Sequence, residues 1–176
     1  MLNCLDKLDL HYSKFIHDYE NPSYEQIIYY FGRLYNPDFI ITYLVIILMI
    51  SLYSNRLNDF IKILLTVIIC LIVTLSSKKL FGRPRPQINK SVNKTFNLRQ
   101  HENNNSMPSG DSLQAANFAM ILYLYFNIKT SFIFVPFVMF ARVYFFCHYI
   151  GDTIIGSFLG LLLPYILYKS LSFNIL

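Results

Sequence analysis

Seven residues of this chain have the types and spacing to hold and attack a phosphate group: Lys78, Arg85, Ser109, Asp111, Arg142, His148 and Asp152. Three of them are cations. Ser109 begins a Ser-Gly turn with Gly110 that opens a helix, and His148 stands four residues before Asp152. A guanidinium meets phosphate oxygens with paired hydrogen bonds, an ammonium adds point charge, and the unpaired N–H groups of a helix start favour an anion. Ionisable groups in or beside apolar helices are costly and collect where they do something. Cys4, Cys70 and Cys147 form no metal-ligand pair, and the sequence reading assigns no metal and no cofactor. The cysteines read as unpaired packing residues.

The elements that must position these groups are apolar. The 176 residues fit one domain, and 55% of them are hydrophobic while only 14% are charged, which points to the bilayer as solvent. Phe39 to Tyr53, Ile61 to Leu75 and Ile154 to Tyr168 are long and nearly free of charge. Leu113 to Phe126 and Phe132 to Tyr149 are apolar with a few polar interruptions. The expected fold is therefore an all-α, polytopic membrane bundle of five spans. Before them, residues 1–36 form an amphipathic region, in which Ser23 and Gln26 have capping-box spacing and predict a helix over Tyr24 to Leu34 that stands in for a sixth span. Nothing at the start has the basic leader and cleavage site of a signal peptide.

Residues 78–110 are polar, Asn-rich and punctuated by proline, and so form a loop outside the hydrocarbon. Alternation of the spans then puts this loop, the start of the third apolar helix, the end of the fourth and the start of the fifth on one membrane face. All seven polar residues share that face. Pro136 falls inside the fourth helix and predicts a kink, and Pro164 falls inside the fifth. The net charge of +5 comes largely from the cluster between Lys78 and Arg99, which phosphate binding explains without nucleic acid.

Lys78 with Arg85 and Pro86 in KKLFGRPRP, Pro108-Ser109-Gly110, and Arg142, His148 and Asp152 in ARVYFFCHYIGD resemble the three signature motifs of the type 2 phosphatidic acid phosphatase superfamily. Their order and internal spacings are the family's, over about the last two thirds of the chain. The resemblance implies a single membrane-embedded domain that hydrolyses the phosphate of a membrane lipid without a metal, through a phosphohistidine. The candidate lipids are a polyprenyl diphosphate, phosphatidic acid or a sphingoid phosphate. By the same resemblance His148 is the nucleophile, Asp152 holds its imidazole in the attacking tautomer, and Lys78, Arg85, Ser109, the Gly110 amide and Arg142 hold the phosphoryl oxygens.

Two positions depart from that pattern. Asp111 stands where the family has a histidine that protonates the leaving oxygen, and Ala141 stands where it often has serine. Asp111 among three cations is expected to have a lowered pKa, which makes it a poor acid and favours a diphosphate, whose leaving group departs unaided. The alternative is a catalytically silent membrane protein that binds phosphorylated head groups or scaffolds a partner. A haloperoxidase using the same anion cradle ranks last, since it needs the missing histidine. The blander readings make Asp111 and Asp152 helix caps, Lys79 and Arg83 juxtamembrane anchors, and His11, His17 and His101 surface residues. Loop cations counted alone place the catalytic face in the cytoplasm; the resemblance places it on the lumenal or extracytoplasmic side. Asn93 and Asn104 fit the glycosylation acceptor pattern.

Overall fold

The structure, a computed structural model, describes residues 4–87, 94–99 and 104–173, with Pro37, Asp38 and the last three by backbone only. Every regular element among these residues is helical: α1 (Cys4–Asp18), α2 (Pro22–Arg33), α3 (Pro37–Tyr53), α4 (Leu57–Phe81), α5 (Gly110–Phe126), α6 (Phe134–Tyr144) and α7 (Ile150–Phe173). A 3-10 turn over Thr130–Ile133 leads into α6. By length and composition α4 and residues 150–170 of α7 can each cross a membrane, while Phe39–Tyr53 and Thr130–Tyr144 are shorter apolar helices. The count of five clear spans thus becomes two long helices plus shorter ones.

On α4, Ile61, Leu65, Ile68, Ile72 and Leu75 are all exposed. Their alternate spacing of four and three residues lays them in one stripe that faces away from the protein. Ile63, Val67 and Cys70, on the opposite side, are buried. A helix with apolar residues on both sides is in place where its outer face meets lipid. Cys70 and Cys147 pack inside the bundle, but Cys4 is exposed.

The N-terminal region holds two helices where one was expected, and the capping box does not form. Pro22 occupies the first turn of α2 after an Asn21 cap that makes no side-chain hydrogen bond. Proline suits a first turn, because its missing N–H has no partner there anyway. The same reasoning removes the expected kink at Pro136: the 3-10 turn ends at Ile133, so this proline falls in the first turn of α6.

α5 and α7 form the most extensive helix pair. Gly156 and Gly160, one turn apart on α7, lie against the backbone of α5; a Cβ on either would overlap the carbonyl oxygen of Ser109 or Leu113. Small residues spaced by four let two helix backbones approach this closely. The contact holds the start of α5, with Ser109, beside the start of α7, with Asp152: the Ser109 N–H donates to the Asp152 carbonyl at 3.0 Å.

Candidate active site

A cavity of about 500 Å³ opens at the polar end of the bundle. Lys78 reaches it from the last turn of α4, Arg85 from the following loop, Gly110 and Asp111 from the first turn of α5, and His148 from the connection between α6 and α7. Gly82 ends the helix between the first two of these residues. It does so at φ +58° with its N–H on the Lys78 carbonyl, and no atom lies near where its Cβ would be, so backbone conformation is what requires glycine. Arg33, at the end of α2, also lines the cavity; sequence reasoning missed it, since no motif covers it.

Lys78 and Arg85 converge on one asparagine. The Asn104 side-chain oxygen accepts from Lys78 Nζ at 3.2 Å and from Arg85 Nη2 at 2.6 Å, while Arg85 Nε donates to the Asn104 carbonyl at 2.8 Å and Nη1 to the Cys147 carbonyl at 2.7 Å. The acceptor pattern at Asn104 therefore belongs to the cavity wall, where its amide organises two cations. Asn93 and His101 lie outside the described residues.

His148 is positioned by how α6 ends. The Phe146 N–H donates to the Val143 carbonyl at 2.8 Å and the Cys147 N–H to the Arg142 carbonyl at 2.9 Å, with Phe146 at φ +53°. This is a Schellman turn with phenylalanine where glycine is usual. His17 supports it. Its ring stacks on Phe146 at 4.5 Å and 3°, and its Nδ1 donates to the Tyr144 carbonyl at 2.9 Å. His17 is 2% exposed, so its reading as a surface residue is corrected. Burial lowers its pKa. His11 is exposed, as expected.

The His148 tautomer follows from its neighbours. Nε2 lies 3.3 Å from Arg85 Nη1, and a guanidinium can only donate, so Nε2 is the acceptor and the proton resides on Nδ1. Nδ1 faces Asp152 Oδ2 at 3.6 Å, slightly beyond a direct hydrogen bond. Burial pushes the imidazole down to about 3, helped by Arg142, Arg85 and Lys78 and opposed by Asp152. A neutral imidazole with its lone pair turned toward a cationic cavity is a competent nucleophile.

Asp152 is both a catalytic candidate and a cap. Its Oδ2 accepts the Tyr149 N–H at 3.0 Å, and its Oδ1 accepts from Arg83 Nη1 at 2.7 Å. Arg83 is therefore no simple anchor. Its Nη2 lies 2.9 Å from Asp9 Oδ2 and 3.2 Å from Asp6 Oδ1, both on α1. Sequence reasoning missed these partners because 143 residues separate Asp9 from Asp152, the two ends of the arrangement.

Two expected phosphate ligands are occupied within the protein. The Ser109 hydroxyl caps α5, accepting the Ser112 N–H at 3.4 Å and lying 3.0 Å from the Ser112 hydroxyl, so the cap of this helix is Ser109 and not Asp111. Arg142 is 1% exposed; its Nη2 pairs with Asp111 Oδ2 at 3.0 Å and its Nη1 donates to the Gly32 carbonyl of α2 at 3.4 Å. Asp111 stands at the polar end of α5, ahead of the apolar run that begins at Leu113. Its pKa moves opposite to the expected direction. Burial pushes the carboxyl up to about 7, outweighing the lowering pull of Lys78 and Arg85. At neutral pH it can both give and take a proton.

The class that fold and site together define is a helical protein with a cavity lined by a histidine and several cations at one end of its bundle. The chain belongs to the PAP2 superfamily, whose model matches residues 59–176. Two solved structures share the fold. A transmembrane PAP2-type phosphatidylglycerolphosphate phosphatase from Bacillus subtilis is 24% identical, with a TM-score of 0.82 over 99% of this chain and 89% of that one. Aquifex aeolicus LpxE is 24% identical, with a TM-score of 0.71 over 92% of this chain and 95% of that one. No curated protein matches the chain significantly.

Proposed function

We propose that this protein hydrolyses the phosphate of a membrane lipid through a phosphohistidine on His148, without a metal ion. The observation that carries the reading is the Nε2 lone pair of a neutral, buried imidazole, 3.3 Å from Arg85, on the wall of a cavity also lined by Lys78. In the first step Nε2 attacks phosphorus, the bond to the leaving oxygen breaks, and Asp111 gives that oxygen its proton. Asp152 faces the Nδ1–H and stabilises the charge that the ring acquires. In the second step water attacks phosphorus, the N–P bond breaks, Asp111 takes a proton back, and inorganic phosphate leaves. Lys78 and Arg85 stabilise the phosphoryl oxygens throughout.

The substrate reading rests on a second cavity. It is apolar, about 390 Å³, walled by Tyr43, Ile47, Phe118 and Phe126 among others, and it shares Tyr35 with the catalytic cavity. A hydrocarbon chain fits the apolar cavity and a phosphorylated head group the catalytic one. Family membership supports the phosphatase class, and the exposed apolar stripe of α4 supports work within a multi-pass bundle in the bilayer. The catalytic face is read as lumenal or extracytoplasmic. With its pKa near 7, Asp111 serves as an acid for a monoester as well as a diphosphate, which removes the reason to prefer polyprenyl diphosphate over phosphatidic acid or a sphingoid phosphate.

The competing reading is a silent binder of phosphorylated head groups, favoured by the Arg142–Asp111 pair that joins an expected phosphate ligand to an expected acid. Purified protein in detergent micelles separates the two. Inorganic phosphate released from one of these lipids, undiminished by a chelator and abolished in His148→Ala, is the expected result. Binding of the lipid without release supports the silent reading.

A further inference from the structure

We propose that Arg83 and Asp9 are positioning residues for the His148–Asp152 pair, and that α1 is thereby part of the catalytic apparatus; this rests on the phosphatase reading above. Asp152 is fully buried and each of its oxygens has a distinct task. Oδ2 faces His148 and takes the Tyr149 N–H, and Oδ1 is held by Arg83 at 2.7 Å. Rotating the carboxylate toward or away from the imidazole breaks the Arg83 contact. Arg83 is fixed in turn by Asp9 at 2.9 Å and Asp6 at 3.2 Å, and its guanidinium lies 4.1 Å over the Tyr149 ring.

The same helix holds the backbone of α7. A helix begins with N–H groups that have no partner inside it. Here two of them are satisfied by side chains of α1: the Ile150 N–H donates to Ser13 Oγ at 2.9 Å and the Gly151 N–H to Asp9 Oδ1 at 3.1 Å. The Asp9 carboxylate also suits the positive end of the α7 dipole. Gly151 permits this approach, since a Cβ there would lie 2.7 Å from Asp9 Oδ2. Asp9 thus grips Arg83 with one oxygen and the first turn of α7 with the other, and both grips end at Asp152.

Arg83 is unlike the cations of the cradle. It faces Asp6, Leu10, Pro84 and Tyr149 around a separate small cavity, and is absent from the walls of the catalytic one. Three carboxylates already surround it, which leaves little positive potential for a phosphate.

The test measures kcat and KM for phosphate release from a short-chain phosphatidic acid in detergent, using the full chain and its Asp9→Asn, Arg83→Gln, Gly151→Ala and Arg83→Gln/Asp9→Asn forms. Each single change is expected to lower kcat by about 10–100-fold with KM nearly unchanged, the effect of misplacing a reacting group. The double form is expected to fall no further than Arg83→Gln, because both act through one contact chain. Gly151→Ala keeps every charge and only displaces Asp9. Competitive inhibition by inorganic phosphate at the wild-type concentration shows that the cradle survives in each variant. A raised KM with unchanged kcat in Arg83→Gln makes it a phosphate ligand and overturns the inference. Full activity of Asp9→Asn and Gly151→Ala beside an active wild type overturns it alone, whereas a wild type that releases no phosphate from phosphatidic acid, a sphingoid phosphate or a polyprenyl diphosphate overturns the phosphatase reading and the inference together.

Discussion

Residues 59–176 contain the proposed nucleophile, the carboxylate behind it and the cations of the proposed cradle, whereas the helices that precede them contain none of the family's motifs. Yet α1 and α2 hold the site from behind. Asp9 and Ser13 fix the start of α7, His17 supports the turn that carries His148, and the Gly32 carbonyl receives Arg142. The proposed chemistry thus falls in one region of the chain, while positioning is shared by both. The difference between them is physical: a group that meets phosphate must have a particular charge or lone pair, while a group that supports it needs only a donor, an acceptor or a flat ring in the right place.

If this holds, changes at the residues proposed to meet phosphate should cost the most turnover, and changes at the residues that support them, in either region, should attenuate or destabilise. The largest effect is expected for His148→Ala, which should reduce phosphate release by at least about a thousandfold. Residual turnover above that level would place the nucleophile elsewhere. Lys78→Ala or Arg85→Ala should each cost about 10²–10³ in kcat, the scale of losing one donor to transition-state charge. Equal losses in Lys79→Ala would show that bulk positive charge matters and not the cradle.

Asp111 gives a pH-dependent comparison. As an acid it must carry its proton, so with a pKa of about 7 the rate should decline as pH rises above neutrality. Asp111→Asn should be slower and lose that limb of the profile. An unchanged limb assigns it to another group. His148, neutral down to about pH 3, should contribute no ionisation to activity near neutrality.

The smallest effects belong to His17. His17→Phe keeps a ring on Phe146 but loses the hydrogen bond to the Tyr144 carbonyl, which should lower stability by about 1 kcal/mol at neutral pH. The pH dependence has a definite sign. Burial depresses the pKa of His17 and of His148, so the unfolded chain binds more protons as pH falls below its ordinary histidine value of about 6.5. Stability should therefore be intact above that value and decline below it, less steeply in His17→Phe. Thermal unfolding in detergent between neutral and mildly acidic pH measures both slopes.

The sequence by itself determined the chemical inventory: apolar helices, a cationic loop, and a His-Asp pair placed with it by alternation of the spans. Those features are local in the chain, because a span is a run of apolar residues and a motif is a fixed spacing. Some of the Overall fold stood behind less direct signals: Gly156 and Gly160 show the small-residue spacing that brings α7 against α5, though the partner helix is not written in it. Only the tertiary structure decided that Arg83 belongs to Asp152 and α1, that Ser109 caps a helix, and that burial pushes the Asp111 carboxyl up instead of down. The first depends on contacts between residues far apart in sequence. The last depends on how much water the fold removes, a balance of burial against charge that no spacing of residues expresses.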